Sequence, residues 1–230
     1  MMIAAFGLIG TVLIYYFGKK IYDKKKKVYL SPLLLVPVAI ILILLLSGAS
    51  YADYATGAQW LTKLLGPATV AMAVPLYKNL QLLKENTRAI MSGILIGCIL
   101  AITSSVVLAE LLHFDWQTVL SLAPRSVTTP IAMNISGMLG GNGTLTAVFV
   151  IITGLLGIVV GPILIKLLKL RSSVSKGIVL GMGAHGCGIS KALEFGPEEG
   201  TIASLAMIIM AGFTLAWAPV IVPFLEHLRL

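Results

Sequence analysis

The chain has 230 residues, 58% of them hydrophobic and 11% charged, with a formal net charge of +8 and a mean hydropathy of +0.99. Soluble domains carry about 25% charged residues, so the polar shell of a soluble fold is missing and the composition points to an all-α integral membrane protein. The positive charge does not imply nucleic acid: six lysines sit in "KKIYDKKKK" (Lys19 to Lys27), and the other basic residues lie mostly at the ends of apolar runs, the pattern of membrane topology.

About 20 apolar residues cross a bilayer as a helix, and the sequence predicts seven or eight such segments. The first, about Ile3–Phe17, is short, with Lys19 and Lys20 placed to snorkel to the interface. It has no basic residue before it and many after it, the reverse of a cleavable secretory signal. It is therefore expected to stay as a membrane helix that starts outside. Residues 1–30 make an N-terminal helix and basic cytoplasmic loop, and residues 31–225 a transmembrane domain. The second segment is "LLLVPVAIILILLLSGA" (Leu33–Ala49), followed by "SYADYATG" as an outside loop. The third, about Ala58–Tyr77, is interrupted by Gly66-Pro67 and Pro75. The fourth, about Ala89–Leu112, is a plain helix. Its Ser92, Gly93, Gly97, Ala101 and Ser104/Ser105 make one side small for close packing in lipid.

The fifth segment, about Val119–Leu139, contains "LAPRSVTTPIAMNISG". The sixth runs about Leu145–Leu168, the seventh about Gly177–Leu193 with "GMGAHGCGISKALEFG", and the eighth about Thr201–Leu225. The three basic stretches, Lys19–Lys27, "KNLQLLKENTR" and "KLLKLRSSVSK", should all face the cytoplasm. They agree only if something between Arg88 and Lys166 enters and leaves on one side. The proline-broken fifth segment is the candidate for that re-entrant hairpin; the seventh is another place where one can form.

An internal repeat is visible in the second half. Shifted by about 57 residues, "GNGTLTAVFVIITGLLGIVVGPILI" lies over "EEGTIASLAMIIMAGFTLAWAPVIV", so that Gly143-Thr144 falls on Gly200-Thr201 and Pro162 on Pro219. In each copy a broken polar segment precedes an unbroken apolar helix, and "GPATVAMAVPLYKN" before the fourth segment has the same form. Duplicated units of this kind build many secondary transporters. The alternative is chance likeness among apolar helices.

Irregular backbone at membrane depth survives only inside protein or beside a wet cavity, so the prolines of "APRSVTTP" report a polar interior. An arginine at depth needs an anion or a carboxylate partner, and its planar fork binds carboxylates bidentately. Ser126, Thr128 and Thr129 add hydroxyls beside Arg125, and Pro130 suits the first turn of a half-helix whose free amides attract anions. The bland alternative is an arginine snorkelling from a segment end. Glu110 is a possible partner for it. In the second motif, His185 lies among Gly181, Gly183, Gly186 and Gly188, as a donor to an anion or a proton carrier, or as a packed histidine in a tight helix crossing. Lys191 and Glu194 make an interfacial pair. Cys98 and Cys187 are expected as free thiols. No Ser-His-Asp set, metal cluster or nucleotide loop is present, so neither an enzyme nor a cofactor is expected.

The stretches "LLGPATVAMAVPLYKN", "PRSVTTPIA", "LTAVFVIITGLLG" and "GMGAHGCGISKALEFG…EEG", in this order from about Ser31 to Pro223, resemble the LrgB/CidB family. One departure is Ala184, where the family pattern has a serine before the histidine. The resemblance implies a multi-pass protein of the cell membrane. Its bacterial members are described as holin- or antiholin-like, acting with a small LrgA/CidA-type partner on murein hydrolase activity and lysis. Related proteins include a plastid glycolate/glycerate transporter and bacterial pyruvate facilitators. The residues favour a facilitator of small monocarboxylates such as pyruvate, glycolate or glycerate, in a homo-oligomer. Arg125, Ser126, Thr128 and Thr129 would hold the carboxylate, His185 with Gly183 and Gly186 would form the facing half, and Asn134 and Thr69 would line the site.

Overall fold

The computed structural model describes residues 6–25, 30–71 and 73–227. Among them every regular element is helical and none is a strand. Hydrocarbon imposes this, because a helix satisfies its backbone groups within its own segment. Three helices are long and apolar enough to cross a bilayer: Thr87–Leu111, Gly143–Leu167 and Pro197–His227; Leu34–Ser47 is a shorter apolar stretch.

The chain divides into two units, Met1–Val70 and Ala71–Leu230. In the first, a wide helical turn, Phe6–Gly10, leads into α1 (Thr11–Lys25), followed by α2 (Pro32–Ser47) and α3 (Tyr51–Lys63). The turn packs on α3 through Gly7, where a Cβ would lie 2.9 Å from the Ala58 amide nitrogen. Thr11 Oγ1 and the Tyr54 hydroxyl share a hydrogen bond of 2.9 Å. Two expectations change here. The first apolar run does not end at Phe17, since α1 continues through Lys25; four of its lysines are thus helical. The outside loop "SYADYATG" is instead the start of α3. Ser50 is its N-cap, accepting from the Asp53 amide at 3.2 Å, and such a cap satisfies an otherwise orphaned donor.

The broken third segment is resolved into short pieces: α4 (Leu65–Ala71), which ends at the junction, and, within the second unit, α5 (Ala73–Lys78). The loop expected at "KNLQLLKENTR" contains α6 (Leu80–Glu85). Then come α7 (Thr87–Leu111), α8 (Trp116–Leu122), α9 (Thr129–Leu139), α10 (Gly143–Leu167), α11 (Ser173–Ala192) and α12 (Pro197–His227).

The long helices bury one stripe and expose the rest. On α7 the stripe is Ile90, Ile94, Cys98, Ile102, Ser105 and Ala109, spaced three and four residues apart, as one helix face requires. Ile96, Leu100 and Leu108 on the same helix are more than half exposed. In water such a surface would be a liability; in lipid it is the outer coat. The α10 stripe is rich in small residues (Thr146, Thr153, Gly154, Gly161), as close helix approach in a bilayer demands.

The fifth segment is broken as its prolines predict. Seven-residue α8 and eleven-residue α9 reach about 10 and 16 Å at 1.5 Å per residue, so neither spans alone. Their ends return to one another: the Asn142 amide donates to Ser121 Oγ at 2.7 Å. The chain leaving α9 thus lies against the last turn of α8. Thr128, in extended conformation before α9, and His185, where α11 kinks at φ 40°, ψ −123°, are 57 positions apart, the same offset as the sequence shift between α10 and α12.

The glycines of α11 divide into two kinds. A Cβ on Gly181 would strike the Ala203 backbone of α12, whereas one on Gly183 meets nothing within 4 Å. Alanine is favoured over glycine in a helix by up to about 1 kcal/mol, while overpacking costs roughly 1–3 kcal/mol. Thermal unfolding in detergent should therefore show Gly181→Ala destabilised and Gly183→Ala unchanged or stabilised.

Candidate functional site

Arg125 sits in the turn between α8 and α9, its amide bonded to the Leu122 carbonyl at 3.1 Å. Its Nε donates to Ser105 Oγ of α7 at 2.9 Å. Ser105 is thus a partner of the guanidinium. Ion pairs form between Lys176 and Glu199 and between Lys191 and Glu194.

Three hydroxyls stand beside it in the chain. Ser126 is buried, and Thr128 and Thr129 are half-buried. Thr128 is the N-cap of α9 at φ −64°, ψ 146°, yet its side chain makes no capping bond. Pro130 occupies the first helical turn, where its missing N–H removes no intrahelical bond. The break therefore collects a guanidinium, three hydroxyls and a helix start of positive partial charge. Before the break, Asp115 caps α8: the Thr118 hydroxyl and amide bond its carboxylate and hold its pKa below the ordinary value.

His185 is 5% exposed and lies against α10. A Cβ on Gly154 would come within 2.9 Å of its Cε1 and 3.1 Å of Cys187 Sγ. The Val150 carbonyl is beside the ring, and Nε2 is buried without a hydrogen-bond partner among the described residues. Its φ of 40° with ψ of −123° is a conformation that favours glycine, and strain of this kind, of order 1–3 kcal/mol, persists where the surroundings impose it. Gly183 and Gly186, on either side, are exposed and open.

Both broken segments dock on α7. Arg125 does so through Ser105; α11 does so at Gly97, where an added Cβ would meet the end of the Met182 side chain. Positions 97 and 105 are eight residues apart, about 12 Å along the axis. The Arg125 and His185 side chains themselves meet different helices, α7 and α10. Asn134 is exposed, on the side of α9 away from buried Ala132, Ile135 and Ser136. The side chain of Thr69 lies outside what the structure describes. A recess of about 580 Å³ in the first unit, lined by residues including Phe6, Ile43, Ser47 and Asp53, contains none of the expected site residues.

Sequence reasoning missed the roles of Ser105 and Gly154. Both had a visible signal, a small residue on an apolar helix, but that signal is shared with ordinary packing positions. The expected interfacial pair, Lys191 with Glu194, forms at 2.6 Å, and both cysteines are free.

Comparison with known proteins gives a consistent result. Residues 11–224 match the LrgB-like family. The chain is similar to the uncharacterized protein YwbG of Bacillus subtilis, 44% identical with 98% of this chain and 100% of that protein covered. It is also similar to the holin-like protein CidB of Staphylococcus aureus, 34% identical with 94% of each covered. No solved structure matches.

The strain at position 185 is open to measurement. Glycine relieves it and alanine does not, so His185→Gly should unfold later than His185→Ala by about 1 kcal/mol, the reverse of their order in a regular helix. Paired melting curves in detergent test this.

Proposed function

The chain belongs to the LrgB-like family, and from that premise we propose that it alters the permeability of a bilayer selectively, as a transporter or facilitator of small monocarboxylates such as pyruvate, glycolate or glycerate. The observation that carries this reading is the state of the break between α8 and α9. The guanidinium of Arg125 is held by a serine hydroxyl, with Ser126, Thr128 and Thr129 next to it in the chain. A charge at membrane depth requires a counter-charge, and a small carboxylate supplies one of matching shape. His185 would contribute from the second repeat, with Gly183 and Gly186 leaving its flank open. Passage would follow alternating movement of the repeats. Its membrane would be the cell's plasma membrane, and its partners a small LrgA/CidA-type membrane protein and further copies of the chain.

A second reading is supported by the comparisons more directly than the first. Relatives at 34% identity bear the name holin-like protein CidB, which favours a holin- or antiholin-like regulator of murein hydrolase activity and autolysis with no substrate site.

Liposomes holding the purified chain separate the two. The carboxylate reading expects saturable uptake of labelled pyruvate or glycolate, reduced at least about thirtyfold in Arg125→Ala, the scale of losing one partner of a buried charged hydrogen-bonded pair. Leakage of a trapped dye without saturable uptake supports the holin reading. Normal uptake by an inserted Arg125→Ala protein removes Arg125 from the site.

A further inference from the structure

Ser105 is one of the small residues that the sequence assigns to helix packing, but its bonding is not that of a packing residue. We propose that Ser105 is a positioning residue for the anion site at Arg125, fixing which edge of the guanidinium is presented to the carboxylate. This rests on the carboxylate reading above and specifies how that site recognises its ligand.

Ser105 is 1% exposed. Its hydroxyl donates to the Ala101 carbonyl at 2.5 Å, so its single proton is engaged and the oxygen meets Arg125 as an acceptor. The bond from Arg125 Nε, 2.9 Å long, fills that acceptor. A guanidinium binds a carboxylate bidentately along either of two kinds of edge: Nε with one terminal nitrogen, or the two terminal nitrogens together. The Ser105 bond occupies the first. It leaves the two terminal nitrogens as the fork. The serine is anchored on α7, where Ile102 and Val106 belong to the buried core, and its own proton is tied to the helix backbone. Rigid support of this kind is what holds a binding group in productive geometry. The ligand class that follows is a planar anion offering two coplanar oxygens end-on to the fork. A monovalent sphere such as chloride gains only one good contact from it.

The experiment measures pyruvate binding to the full purified chain by calorimetry, with chloride as the comparison ion. Ser105→Ala and the near-isosteric Ser105→Cys, whose thiol is a weak acceptor, should each weaken pyruvate binding about tenfold, as expected for loss of one hydrogen bond to a charged group, and leave chloride within about twofold. Ser105→Thr, which keeps the hydroxyl, should restore the wild-type affinity. In a double-mutant cycle, Ser105→Ala should add little to Arg125→Lys, because lysine has no fork to orient. A merely structural serine would produce neither the threonine rescue nor the pyruvate-against-chloride split. If Ser105→Ala and Ser105→Cys bind pyruvate like the wild type while Arg125→Ala does not, Ser105 has no part and the site stands. If the wild type itself fails to bind pyruvate, the carboxylate reading is lost, and this inference with it.

Discussion

Every peptide group that enters hydrocarbon must find its hydrogen-bond partner within the protein, because lipid supplies none and each orphaned group costs several kcal/mol. The architecture of the second unit is a response to that constraint. The unbroken helices α7, α10 and α12 meet it internally and turn their large aliphatic side chains outward. The interrupted segments cannot, so their breaks are enclosed by the long helices: the 123–128 turn rests on α7, and the kink at His185 rests on α10. Polar chemistry inside the membrane is thereby confined to the places where the backbone has already departed from the helix.

Close approach does the rest. In a bilayer there is little hydrophobic gain from bringing helices together, so packing and shape dominate. Gly154, Gly157, Gly161, Gly177 and Gly181 all lie where an added methyl would reach a neighbouring helix. The same glycines set the depth to which α11 sinks between α10 and α12, and so where His185 is held. Structure and site are thus products of one packing arrangement and not separate layers of design.

Much of this was legible in the sequence because membrane helices announce themselves by length and hydropathy, and because proline and glycine mark breaks with a mechanism. The bounds of the long helices, the interruption around Arg125 and the 57-residue offset all follow from such signals. The helix at Tyr51–Lys63 was not legible: its alternating tyrosines, alanines and glycine carry no long apolar run, and its cap depends on the Ser50–Asp53 contact. The direction of side chains was not legible either. Asn134 lies one turn after the proline, and its exposure is not something the sequence shows. The partner of Arg125 lies 20 residues back on another helix. A serine in an apolar run gives no sign of what will come to rest against it.

The common attachment to α7 has a mechanical meaning. Two pseudo-equivalent elements grip one rod two turns apart, one by a polar clasp at Ser105 and one by a methionine seated on Gly97. Torque on that rod is felt at both grips together, so the two broken segments are geared to each other through α7.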